Sequence, residues 1–276
     1  MGASGKTGRA VTSALVRRGV HVRAATRSPS QFTTPYAAGL VTPVPVDLVS
    51  GLGLADAVRG VDAVYHLAPN VHPDEVGLAM RVVQAADSAG ISRFAFHSVL
   101  HPDDASMPHH LRKAEAEKII RARLGGATVL RPAAYHQNLV DAALTGRIAV
   151  PYSLDAPFTN VDLDDIAEVA ALVLTEGGHE GRTYELAGPE TLSVREQARM
   201  ASEVLGREAE AVELSLEEWA AGPGASISGR QREDLLAMFR TYDREGFVGG
   251  SDTAERLLGR HPTTWRERLL RGHSAP

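Results

Sequence analysis

Five short runs of strand character alternate with helix-period segments over the first two-thirds of this 276-residue chain, and that order restricts the fold more than any single motif does. The runs lie at 20–25, 44–47, 61–67, 93–98 and 127–130. The segment 9–18 carries Val11, Ala14, Leu15 and Arg18 at helical spacing and stops at Gly19, which suits a left-handed cap. The stretches 54–59, 75–89 and 108–124 read as further helices, and Ser28-Pro29-Ser30 as a turn. The pattern predicts an α/β fold: a doubly wound parallel sheet with helices on both faces, its ligand groups collected at the carboxyl ends of the strands.

The last third changes character. Segments 158–162 and 183–187 read as strands flanking a helix over 166–175 that Asp164 or Asp165 caps. Beyond Pro189 the patterns are helical, at 193–205, 216–221, 232–242 and 264–270. The division expected is a dinucleotide-binding core over 1–188 and a small, mostly helical lobe over 189–276, with 150–160 contributing to the lobe. The Gly/Ser-rich run 222–229 reads either as a mobile loop over a substrate pocket or as a plain connector.

The chain opens on Met1-Gly-Ala-Ser-Gly-Lys-Thr-Gly8, a glycine turn leading into a helix. Gly2, Gly5 and Gly8 let backbone N–H groups approach a pyrophosphate at the positive helix end, and Ser4, Lys6 and Thr7 complete the candidate loop. A phosphate-binding NTPase loop would need a further glycine five residues before Gly5, a position off the chain. Such a turn normally follows a buried central strand. None is visible here, so the sequence predicts either a start site placed too late or a sheet with a defect between its second and fourth strands.

Residues 1–46 contain no Asp or Glu, whereas Lys6, Arg9, Arg17, Arg18, Arg23 and Arg27 are cationic. An NAD site usually places an acid after the second strand to hold the ribose 2′-OH, and an NADP site offers arginine to the 2′-phosphate. Thr26-Arg27-Ser28 occupies that place, so NADP(H) is expected over NAD(H), with Arg27 as determinant. Asp47 reads either as an adenine contact or as a turn cap. The net charge of −5 argues against a general nucleic-acid binder. There is no cysteine for disulfides or thiolate catalysis, and no apolar run of membrane-spanning length. No signal peptide and a cytoplasmic protein are expected.

The chain resembles the NmrA-like group of atypical short-chain dehydrogenases/reductases. The likeness rests on GASGKTG at 2–8, ATRSP at 25–29, VDL at 46–48, HSVLHPDDASMPHHLRKAEAE at 97–117 and VLRPAAYHQNL at 129–139. It continues through VDLDDIAEVAA at 161–171, YELAGPETLS at 184–193 and LLGRHPTTWRERL at 257–269. The resemblance implies a Rossmann-type core with a small C-terminal substrate lobe. Members divide between NAD(P)H-dependent reductases of quinones, dyes or other conjugated compounds and non-catalytic dinucleotide sensors that bind regulatory proteins.

Many relatives in the wider superfamily use Tyr-x-x-x-Lys, with tyrosine as proton donor and lysine on the nicotinamide ribose. Here the matching segment reads His109-His110-Leu-Arg-Lys113, with His109 and Lys113 on one helical face. A phenol titrates near ~10 and imidazole near ~6.5, so a neighbouring ammonium favours neutral His109, a weaker proton donor for which water can substitute. A conjugated acceptor suits such a site, because delocalisation stabilises the developing anion.

Seven of the eleven histidines fall between His66 and His136. His97 and His101 read as substrate-side groups or as ordinary satisfied histidines; their spacing matches no zinc motif, so no metal is expected. Ser98 reads as a donor to a substrate oxygen or as a turn cap. For Tyr135 and Asn138 the resemblance suggests nicotinamide or substrate contacts, with core packing as the alternative. Leu67, Ala68, Pro69 and Pro132 are expected along the cofactor. The expected activity is an NADPH-dependent reductase acting on a small conjugated carbonyl, quinone or aromatic compound. A dinucleotide-sensing regulatory protein is the main alternative, and an isomerase or cyclase reusing the pocket a further one.

Overall fold

A computed structural model describes residues 1–32 and 39–273. The chain runs through α1 (Lys6–Arg17), β1 (Val22–Thr26), β2 (Val41–Pro45), α2 (Leu54–Val58), β3 (Ala63–His66), α3 (Glu75–Ser88), β4 (Arg93–His97), α4 (Pro108–Arg123) and β5 (Thr128–Pro132). It continues through α5 (Val140–Thr145), β6 (Arg147–Val150), α6 (Leu163–Thr175), β7 (Thr183–Leu186), α7 (Val194–Leu205) and β8 (Glu210–Glu213). The last helices are α8 (Leu216–Ala221), α9 (Gly229–Glu245), α10 (Asp252–Leu258) and α11 (Trp265–His273).

Two compact units emerge. The first contains residues 1–103, 109–131 and 166–184. Its core forms because Leu78, Ala79, Val82, Val83 and Ala86 recur at helical spacing on α3 and are all fully buried. The last four of these pack with Val64 of β3, Phe94 and Phe96 of β4 and Val129 of β5. Asp74 starts α3 by accepting from the Gly77 N–H at 3.2 Å. Burying a side chain as large as Phe96 contributes roughly 1.5–3 kcal/mol.

The sheet of this unit is in two pieces. β1 and β2 form a parallel pair, Val22 opposite Val41 through Thr26 opposite Pro45. β3, β4, β5 and β7 form a second sheet in that order, with parallel pairing of Ala63 to Arg93 and of Ala95 to Thr128. β1 and β3 are not paired to each other. The expected α/β fold is present, and so is the expected defect in its sheet.

The second unit contains 104–108, 132–165 and 185–276, so the lobe predicted over 189–276 draws in earlier segments as well. The reason is a parallel ribbon that periodicity did not reveal: β6 pairs with β8, Arg147 opposite Glu210 through Val150 opposite Glu213. Both strands are four residues long and carry charges, which hides their alternation. Trp265 and Leu269 of α11 pack with Ile148, Val194 and Ala201. Ser193–Glu196 and Ser215–Glu218 form reciprocal capping boxes that start α7 and α8.

One expectation needs correction here. Segment 158–162 is not a regular strand; Phe158 makes isolated bridges to Leu192 and Phe247, and Val161 bridges Tyr135. Within the run 222–229, residues 222–226 form turns and Gly229 begins α9. Gly224 N–H donates to Trp219 O at 2.8 Å, and Arg232 Nε donates to Ile227 O at 2.6 Å.

Candidate functional site

The glycine turn packs against its own unit at two points. A Cβ on Gly2 would lie 2.6 Å from Leu67 O, and one on Gly8 would lie 2.1 Å from Gly2 O and 2.7 Å from Ala3 Cα. Neither contact can relax, because each meets backbone. Gly5 is different: its nearest neighbour would be Gly2 O at 3.7 Å, an ordinary contact, and its φ of −73° is open to any residue. The protein's own packing therefore explains Gly2 and Gly8 and leaves Gly5 exposed.

Gly5 is also the N-cap of α1, which has no side-chain cap and no acid in its first turn. The positive end of a 12-residue helix is thus left to whatever anion approaches over Gly5. Ser4 and Lys6 flank this point at the surface, and Thr7 is buried beneath it.

The surrounding cations are not equivalent. Arg18 bonds Glu176 at 2.7 Å, Arg17 donates to Ser13 Oγ at 2.6 Å, and Arg23 caps the end of α2 by donating to Arg59 O at 2.6 Å. Arg9 donates from Nε to Ser4 O at 3.0 Å and lies over the Phe32 ring. Arg27 stands exposed just beyond β1. Asp47 accepts from Val49 N–H at 2.9 Å and from Ser50 Oγ at 2.8 Å, and those bonds hold its carboxyl below the usual carboxylate range. It is a turn cap.

At the end of β4 the structure gathers several predicted groups and adds one that the sequence reading missed. Lys113 Nζ lies 2.8 Å from Glu75 Oε1 and donates to His97 O at 3.0 Å, over the Phe96 ring. The approach to Glu75 lacks hydrogen-bond alignment, so the contact is an ion pair rather than a directed bond. Glu75 is buried in the first turn of α3. Its only sequence signal is an acid heading an otherwise apolar helix, which reads equally as dipole complementation.

Burial disfavours charge on all three neighbouring imidazoles. His97 is pushed down to about 3 and bonds through Nδ1 to the Tyr65 hydroxyl. His66 is fully buried against Phe96, and desolvation lowers it well below its ordinary value. His109 is driven down to about 2, by burial first and then by His110, Arg112 and Lys113; its ring meets His110 edge-on. The expected neutrality of His109 thus has burial as its main cause, not the ammonium invoked from sequence. His101, at φ 51°, is exposed, and its carbonyl accepts from His110 Nδ1 at 3.0 Å.

Two candidates are buried and already hydrogen-bonded. Ser98, 3% exposed, donates from Oγ to Glu117 Oε1 at 2.5 Å, and Arg131 donates to both oxygens of that carboxylate at 3.0 and 2.7 Å. The hydroxyl read as a substrate donor is consumed by a buried charge pair, and His97 by its bond to Tyr65. Leu67 abuts the glycine turn, Ala68 is buried and Pro69 exposed. In the second unit Pro132 is buried, Tyr135 half-buried at its bridge to Val161, and Asn138 exposed in a short 3₁₀ turn. His136, beside them, lies against Trp265 and is lowered to about 4 by burial.

Comparison with known proteins gives a consistent picture. The (4-alkanoyl-5-oxo-2,5-dihydrofuran-3-yl)methyl phosphate reductase of Streptomyces griseus is 32% identical over 228 residues, 78% of this chain and 76% of that protein. Quinone oxidoreductase 2 of Escherichia coli is 28% identical, covering 95% of this chain and 93% of its own. The crystal structure of an NADPH-dependent quinone oxidoreductase of Escherichia coli with NADPH shares the fold, with a TM-score of 0.81, 24% identity and coverage of 97% and 96%. Residues 1–267 match the model of the NmrA-like family, and the chain belongs to that family.

Proposed function

We propose that the first unit binds NADPH and that the protein is a reductase of small conjugated carbonyl, quinone or aromatic compounds. The observation that carries this reading is the uncapped start of α1 behind an open Gly5, with no acid in its first turn. The fit is specific. Gly2 and Gly8 are fixed by backbone contacts, whereas Gly5 leaves the approach of a pyrophosphate clear. Gly2, Ser4, Gly5, Lys6, Thr7 and Gly8 would hold the phosphates and Arg27 the 2′-phosphate. Asp47 would support the adenine side through its turn, and Leu67, Ala68 and Pro69 the nicotinamide side.

When bound, the reduced nicotinamide supplies a hydride. Lys113, held by Glu75, orients the ribose. His109, neutral by desolvation, orients substrate through a hydrogen bond and does not act as an imidazolium acid. Ser98 and His97 hold the end of β4 rather than touch substrate. His101 is proposed as a substrate contact of the first unit, and the roles suggested for Tyr135 and Asn138 by the family resemblance belong to the second unit taken by itself.

Conjugated acceptors suit this donor-poor arrangement, because the anion formed is delocalised and needs little acid assistance. The relatives support the choice: one is named for quinones, one for azo reduction, and one for an unsaturated ring carbonyl. The setting we propose is the cytoplasm, which a cysteine-free chain suits. The test is oxidation of NADPH against a panel of quinones, enones and azo dyes, read beside NADPH binding, for wild type and Lys113→Ala. Turnover that falls in the variant with binding retained supports the reading. Binding without turnover of any panel member favours a dinucleotide sensor.

A further inference from the structure

The ion pair of Lys113 and Glu75 is sheltered from water on both sides. The lysine side chain is 14% exposed and the carboxylate 3%, with Nζ and Oε1 2.8 Å apart. Nζ also donates to His97 O at 3.0 Å and stands 5.2 Å from the centre of the Phe96 ring. In such a setting an ammonium that lost its carboxylate would act strongly on whatever lies beside it, because little water screens it. The neighbouring imidazoles add no charge, since burial keeps His66, His97 and His109 neutral. Arg112 precedes Lys113 on α4 and so projects about 100° away around the helix. Among the described residues, Glu75 is the acid that balances Lys113.

That balance matters for a ligand whose own charge changes. On the reading that Lys113 orients the ribose of a bound nicotinamide, the pair neighbours a ring that is neutral when reduced. The ring is cationic once a hydride, two electrons and one proton, has left it. An unbalanced ammonium would oppose that cation, and an unbalanced carboxylate would favour it. A balanced pair does neither.

We propose that Glu75 sets the balance between oxidised and reduced cofactor in the first unit: its carboxylate cancels the charge of Lys113, so that the oxidised ring is not repelled. The proposal rests on the reading that this unit binds NADPH. Glu75 acts through Lys113 and is a positioning residue rather than a catalytic one. Its place in the chain suits the task. It lies in the first turn of α3, and Asp74 before it caps that helix, accepting from Gly77 N–H at 3.2 Å and pairing with Arg81 at 2.9 Å. The Glu75 carboxylate is thus carried on a fixed helix start, while the Asp74 charge is taken up by Arg81.

The test measures dissociation constants of NADP⁺ and NADPH by calorimetric titration for the wild type, Glu75→Gln, Lys113→Gln, the double variant and Asp74→Asn. Glu75→Gln is expected to raise the ratio of the NADP⁺ constant to the NADPH constant about tenfold, which lifts the two-electron potential of the bound couple by about 30 mV. Lys113→Gln should lower the ratio by a similar factor, and the double variant should return it to within about threefold of the wild type. Asp74→Asn removes a more exposed carboxylate one residue away and keeps the cap, so it should leave the ratio unchanged. Either single substitution decides the matter if the other fails to fold. A role for Glu75 confined to the helix dipole or to folding would weaken both forms equally, and that result overturns the proposal. A shift of the same sign in both single variants does so too. A wild type that binds neither form defeats the NADPH reading and this proposal with it, whereas binding with unchanged ratios defeats the proposal alone.

Discussion

The glycine turn and the end of β4 are both places where the sequence predicts ligand contacts, and they are built on opposite principles. At the turn, the proposed recognition runs through backbone: an uncapped helix start, with Gly2 and Gly8 held by contacts to the chain itself. At β4 it runs through side chains, and those are absorbed into buried pairs with Glu75, Glu117 and Tyr65. A backbone site is written in eight consecutive residues. A side-chain site depends on partners brought from other elements, and local pattern does not say which partner claims which group.

The largest test of this contrast is Glu117→Ala. It leaves Arg131 and Ser98 in a buried setting without their shared acceptor and should cost about 3–5 kcal/mol in urea unfolding. A loss below about 1 kcal/mol would mean that the β4 end is not organised by that carboxylate.

The turn is tested by a pair of glycines. Gly8→Ala forces a Cβ against backbone and should destabilise by about 2–3 kcal/mol. Gly5→Ala should cost less than about 1 kcal/mol of stability, since only the cap preference changes. It should nevertheless weaken NADPH binding at least about tenfold, measured by fluorescence titration, because its methyl stands where the ligand approaches. Equal effects on folding at the two positions would remove the distinction between them.

A smaller effect is expected at Arg27. Arg27→Ala should reduce the preference for NADPH over NADH by about tenfold, or about 1.4 kcal/mol. Equal affinities for the two cofactors in the wild type would defeat the assignment.

The smallest single steps come from pH. His97 and His136 have folded pKa values of about 3 and 4, below the unfolded imidazole at 6.5. The unfolded chain binds more protons in that window, so stability rises with pH across it and is lost as pH falls below 6.5. The Met1 amine adds the same sign between 8.0 and about 5. Between pH 7 and 5.5 each histidine should contribute about 1 kcal/mol of loss. His97→Gln should flatten the slope of unfolding free energy against pH by one such share.

Much of the fold was legible because its signals are local. The apolar spacing on α3, the glycine at the end of α1 and the alternation of 93–98 each place an element within a few residues. The ribbon of β6 and β8 was not, since its alignment is decided by packing under Trp265 rather than by its own composition. At the site, Lys113 was found from its position four residues after His109, but Glu75 lies 38 residues earlier on another helix. Nothing near either residue points to the other. Ser98 illustrates the converse: its strand-end position promised exposure, and a carboxylate on α4 captured it.

The bare start of α1 has a consequence for the lifetime of the protein in a cell. An anion that binds there binds only the folded chain, and at a hundred times its dissociation constant it adds about 2.7 kcal/mol to stability. Degradation that proceeds through transiently open states would slow roughly a hundredfold for the same reason. The amount of this protein present would then follow the total supply of its dinucleotide, in either redox state, since both carry the same pyrophosphate.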